Sequence, residues 1–166
     1  MNKEGYLLIE ASITCLIISL SLVALVPMFI LSLRANTKTE QVKVATQLSV
    51  ELLEEIRLRK WDQKTPSPPQ SIALGSAIGV DSGETASDKR TFNDIDDFNG
   101  WSESPPMDPL MQPLSNFSGY SRNVTVSYVD AGMNPNAGPT DYKEVTVCTQ
   151  RSGMSPACLS TLFTNR

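Results

Sequence analysis

Asp94, Asp96, Asp97 and Asn99 place four oxygen-bearing side chains within six residues, and Gly100 follows as a turn residue. Calcium takes about six to eight oxygen ligands, so such a run offers chemistry that a hard cation can use. The spacing is not that of an EF-hand, and the distal glutamate of that loop is missing. The same side chains can instead cap backbone groups of a turn, with Phe92, Phe98 and Trp101 as hydrophobic plugs around it. The residues leave both readings open.

Other site chemistries are poorly supplied. The chain has no histidine, which removes the commonest general base and a common metal ligand. It has three cysteines, Cys15, Cys148 and Cys158, and no second cysteine pair with zinc spacing. No Ser/His/Asp or Cys/His set can be drawn, so no catalytic residue is assigned and a non-enzymatic protein is expected. The net charge is −4, which does not favour nucleic acid through bulk electrostatics.

The second group of chemistry-bearing residues is at the N-terminal end, where Gly5-Tyr6-Leu7-Leu8-Ile9-Glu10 opens an apolar run. From Ala11 to Leu33 there are 23 residues and no charge, enough for a helix to cross a bilayer core of about 30 Å. The run is too long for a signal-peptide core, and no Ala-x-Ala site follows it. Glu10 stands near its start, and a carboxylate at membrane depth usually marks a function with a partner. Gly5 lets an enzyme approach the backbone and is expected to break the helix there. Pro27 removes a backbone donor and is expected to kink or loosen the helix. Ser12, Thr14, Cys15, Ser19 and Ser21 are small enough for close helix contacts.

This segment resembles the N-terminus of type IV filament prepilins, that is, type IV pilus pilins and the pseudopilins of type II secretion systems. Their signature is a short polar leader ending in Gly, an aromatic residue, a few apolar or small residues and a Glu opening a long apolar helix. Gly5, Tyr6, Leu7, Leu8, Ile9 and Glu10 fill those places, with Tyr6 where Phe is commoner and Leu7 where Thr is common. The resemblance implies that residues 1–5 are a leader. A prepilin peptidase would cut between Gly5 and Tyr6 and methylate the new amine on Tyr6. The precursor would span the bacterial inner membrane once with its head in the periplasm, and would then join an extracellular or periplasmic filament. Lys3, Arg34 and Lys38 alone would not dictate that orientation. Expected partners are other pilin subunits, the peptidase and a pilus or secretion assembly platform. Glu10 would pair with the N-terminal amine of a neighbouring subunit and set register, and Pro27 would let the packed helix stretch. A minor pilin is the favoured reading. A pseudopilin, a major pilin and a membrane-anchored binding module that does not polymerise are the alternatives. Some pseudopilins hold calcium in a head loop, which bears on Asp94 to Asn99.

The elements that must position these groups follow from periodicity. Residues 6–35 form the membrane or filament-core helix. Residues 36–61 continue it as an amphipathic helix, with Val42, Ala45, Leu48, Leu52 and Ile56 on one face. Glu55 lies largely off that face and can pair with Arg59. Lys64 to Pro69 ends the helix. Residues 62–166 are a loop-rich head, with one short strand within Ile72 to Val80 and no regular element from Ser102 to Ser115. Period-two alternation marks strands around Val124 to Tyr128 and Tyr142 to Gln150, and Leu159 to Phe163 supplies a third. The fold class is therefore α+β, with an antiparallel meander packed on the helix stripe. In the exported head that the resemblance implies, Cys148 and Cys158 are expected to form a disulfide.

Overall fold

The computed structural model describes residues 3–62, 77–135 and 138–165, with side chains from Leu7 onward. The proline run from Lys64 to Pro69, and most of the strand expected before Val80, lie outside the described residues.

One helix, α1, runs over Lys3–Arg57. It begins ahead of Gly5 instead of breaking there. A single glycine costs about 1 kcal/mol relative to alanine, too little to stop a helix of this length. The chain divides into two units, Met1–Gln41 and Val42–Arg166. In the first unit α1 is the only described element, and its apolar side chains from Leu7 to Leu33 are exposed. It is long and apolar enough to cross a membrane. The helix continues through Pro27.

The second unit holds the last turns of α1 and a four-stranded antiparallel sheet. The strands are β1 (Ser102–Glu103), β2 (Tyr120–Tyr128), β3 (Tyr142–Arg151) and β4 (Ala157–Thr164), in the order β1-β2-β3-β4. Ala45, Leu48, Leu52 and Ile56 are buried, as the three- and four-residue spacing predicts, and Leu53 joins them. Val42 does not: it stays 46% exposed. Alternation on the strands supplies the opposite wall, with Val124 and Val126 of β2 facing inward beside Val145 and Val147 of β3. Phe92 packs edge-to-face on both Phe98 and Trp101, with ring centroids 5.0 and 5.4 Å apart. These three plug the core as the sequence suggests. The result is the helix-on-antiparallel-sheet arrangement expected above.

Two boundaries differ from expectation. β1 lies in the proline-rich stretch read as irregular. It has only two residues, too few for periodicity to reveal. At its other end, α1 stops at Arg57 instead of running to residue 61. There the backbone finds new partners: Lys60 N–H donates to the Asn93 carbonyl, and Ile95 N–H donates to the Lys60 carbonyl. A tertiary bridge replaces the next helical bonds.

Cys148 and Cys158 sit opposite each other on β3 and β4 and form the expected disulfide. The ten-residue separation corresponds to about 2–3 kcal/mol in the chain-entropy model. Replacing both cysteines by serine is expected to lower unfolding stability by about that amount. Urea titration of the full chain in detergent measures it, and an unchanged midpoint would count against the bond as a stabilising element.

Candidate functional site

The apolar part of α1 carries one charged side chain, Glu10. Glu10 is exposed, and among the described residues it makes no ion pair. The hydroxyls around it are satisfied locally. Ser12 and Thr14 donate to the carbonyls of Leu8 and Glu10, each at 2.8 Å. Ser19 and Ser21 donate to the carbonyls of Cys15 and Ile17, at 2.7 and 2.8 Å. A hydroxyl bonded to the preceding turn needs no water, so these side chains suit an apolar environment. Glu10 has no such internal solution. Pro27 supplies no N–H, so the Val23 carbonyl loses its usual helical donor. Cys15 is a free, exposed thiol on the same helix. The Gly5–Tyr6 bond lies within α1, and the side chains there are outside the described residues.

The head contains two buried ion networks. Glu103 on β1 is the hub of the first. Its carboxylate accepts from Arg122 Nε at 2.8 Å, Trp101 Nε1 at 3.0 Å and Met107 N–H at 3.0 Å. Lys89 Nζ lies 2.9 Å from it and also donates to Glu55 Oε2 at 2.9 Å. Arg122 Nη1 donates to the Leu48 carbonyl of α1 at 3.0 Å. Lys89, Glu103 and Arg122 are all essentially inaccessible to solvent. Burial disfavours the charge on Glu103, but Arg122, Lys89, Trp101 and Met107 outweigh it and hold the carboxyl below its ordinary value. Glu55 is therefore a buried anchor, not an outward partner of Arg59. Arg59 instead lies over the Phe98 ring, 6.0 Å from its centroid.

Lys143 on β3 centres the second network. Its ammonium donates to Asp96 Oδ1 at 2.7 Å and to the Trp61 carbonyl at 2.8 Å, with Asp62 Oδ2 at 3.7 Å. It also sits 4.8 Å from the Trp61 ring centroid. The first network ties the last turns of α1 to β1 and β2, and the second ties Trp61 and Asp62, just after the helix, to β3.

The four oxygen-bearing residues singled out in the sequence separate in the structure. Asp96 turns to Lys143, and burial pushes its carboxyl above the usual range against the pull of that lysine. Asn99 Oδ1 accepts from the Val126 N–H at 3.0 Å, fastening the turn to β2. Gly100 adopts φ +80°, the left-handed conformation its place in the turn requires. Asp94 and Asp97 stay together and are joined by Asp81, with one carboxylate oxygen of each within 4.8 Å of the others. Each pair of charges at that separation repels by on the order of 3 kcal/mol at an effective dielectric of about 20. Glu84 completes the group. Burial, followed by its contact with Asp97, raises its pKa above the ordinary 4.5. Asn93 Nδ2 donates to Glu84 Oε1, and Asp81 N–H donates to Glu84 Oε2 at 3.1 Å.

No protein-family model, curated protein or solved structure matches the chain.

Several residues of these sites were not singled out from sequence. For Arg122 and Lys143 a signal existed. The period-two face of β2 that holds Val124 and Val126 also holds Arg122, and the face of β3 that holds Val145 and Val147 also holds Lys143. A cation on a valine face is a buried cation and needs a carboxylate. Asp81 and Glu84 lie in a Ser/Gly/Ala/Asp stretch with no periodicity, so nothing local distinguished them.

Proposed function

We propose that this chain is a structural subunit of a type IV pilus-like filament, a minor pilin. It would be cut after Gly5, methylated on Tyr6 and polymerised through α1. The observation that carries the reading is Glu10, the one charge on the apolar run, just after Gly5-Tyr6 and ahead of 23 uncharged residues. With the neighbouring hydroxyls bonded into their own helix, Glu10 is the group left needing a partner. The N-methylated amine of Tyr6 on an adjacent subunit would carry the opposite charge. In the precursor the helix would span the inner membrane with the head in the periplasm. In the filament the same apolar surface would pack against copies of itself or related subunits. The buried charge networks would hold the head in one fixed arrangement against the last turns of α1, which suits a subunit under axial load.

The test is expression in a type IV pilus-bearing host with active prepilin peptidase. Wild-type protein is expected to lose five residues and appear in the sheared surface fraction. Gly5→Arg is expected to keep its leader and remain in the membrane. Equal recovery of that uncleaved variant in sheared filaments would overturn the proposal.

A further inference from the structure

We infer that Asp81, Asp94 and Asp97, with Glu84 at the edge, form a binding site for a divalent cation of calcium size. The rest of the head supplies the contrast. Its other buried carboxylates meet their counter-charge inside the fold: Glu103 has Lys89 and Arg122, and Asp96 has Lys143. Among the described residues, Asp81, Glu84 and Asp97 have no ion pair. The turn accounts for only part of the carboxylate oxygens. Asp97 Oδ2 accepts from Asn93 and Asp94 N–H, at 2.9 and 3.0 Å. Asp94 Oδ1 accepts from Asp96 and Asp97 N–H, at 3.2 and 3.3 Å.

What remains points to a ligand. Asp97 is only 1% exposed, and its Oδ1 is buried without a hydrogen-bond partner, as is Oδ2 of Asp81; Glu55 Oε1 and Asp96 Oδ2 are orphaned too, but there the other oxygen of the same carboxylate meets a lysine. Deprotonated carboxylates only accept, so they cannot satisfy one another. The ligand oxygens of Asp81, Asp94 and Asp97 all lie within 4.8 Å of one another. That matches the widest separation of two ligands around calcium, which binds oxygen at about 2.4 Å. Magnesium, at about 2.0–2.1 Å, would draw the oxygens closer and demands octahedral order. The carboxylates supply three or four of the positions and water can supply the others. A bound cation would clip the loop carrying Asp81 and Glu84 to the turn at 93–97. That turn is itself bridged to Lys60, just beyond the end of α1. A cation there would thus brace the segment just after α1 within the second unit. The site does not depend on the filament proposal.

The experiment is calorimetric titration of calcium chloride into the full chain in detergent, stripped with EDTA and dialysed. The expected result is one calcium per chain, with equimolar magnesium competing weakly. Asp81→Asn is expected to weaken binding about tenfold or more, because it removes a ligand charge without removing a hydrogen bond of the turn. Asp97→Asn is expected to do at least as much. Asp88→Asn is the control, because Asp88 is engaged with Arg90, and it should leave binding unchanged. Should Asp97→Asn fail to fold, Asp81→Asn still decides. The inference is overturned by absence of stoichiometric binding up to about 10 mM calcium, above the range of weak extracellular sites. It is equally overturned by binding that Asp81→Asn does not weaken. If a proton shared between Glu84 and Asp97 relieves the repulsion instead, Asp97→Asn will stabilise the head with or without calcium, which also overturns it.

Discussion

Replacing Glu10 with glutamine is expected to remove the protein from filaments while leaving it cleaved and methylated in the membrane. Glutamine keeps the size and polarity of the side chain and deletes only its charge, so the variant isolates the electrostatic role. In the assembled state the amine of Tyr6 on the neighbouring subunit would then lie in an apolar packing with no counter-charge. Removing one member of a buried ion pair is strongly destabilising, because it strands the other charge. Incorporation is therefore expected to fall at least about a hundredfold. Glu10→Asp keeps the charge on a shorter stem and should fall between wild type and glutamine. Quantification of sheared filaments against membrane-retained mature protein reads the effect. Wild-type incorporation of the glutamine variant would show that Glu10 has no pairing role.

The largest effect in the head is expected at Glu103. Glu103→Ala leaves Lys89 and Arg122 fully buried and short of their shared carboxylate. Stranded buried charges cost about 3–5 kcal/mol, a large part of the 5–15 kcal/mol typical of a folded domain. The head of this variant should unfold at much lower urea than wild type, and a loss below about 1 kcal/mol would contradict the network as drawn. The same carboxylate sets a pH dependence. Its folded pKa is depressed below the ordinary 4.5. The stability it contributes is therefore fully present above that value and is lost as pH falls through the lower folded value. Wild-type urea midpoints should drop on acidification below about pH 4. In Glu103→Gln, already weaker at neutral pH, that drop should be smaller.

What could be read from the sequence depended on periodicity. The helix stripe at Ala45, Leu48, Leu52 and Ile56 and the alternation of β2 and β3 carry strong repeats, and the structure follows them. The Cys148–Cys158 disulfide was expected only for the exported head that the resemblance implies, and the structure forms it across β3 and β4. Val42 and the end of α1 were not legible, because packing and the Lys60 bridge decide them and neither leaves a local mark. The acidic run illustrates a different limit. Asp94, Asp96, Asp97 and Asn99 are neighbours in sequence, yet they serve three purposes in space. In such a tight turn consecutive side chains point to different sides, so Asp96 reaches Lys143, Asn99 reaches β2, and only Asp94 and Asp97 share a cluster with the distant Asp81. The burial of Glu55 is set by a related effect. Glu55 borders the apolar stripe, and only the tertiary position of Lys89 makes it a buried anchor.

The central claim is that the chain is processed and assembled as a prepilin, and intact mass with N-terminal sequencing of the protein from native membranes or shed filaments tests it most directly. A chain beginning at N-methylated Tyr6 is the predicted result, with Cys148 and Cys158 oxidised before reduction. A chain still beginning at Met1, in cells whose peptidase is active on other substrates, would contradict the account and leave a membrane-anchored domain that does not polymerise.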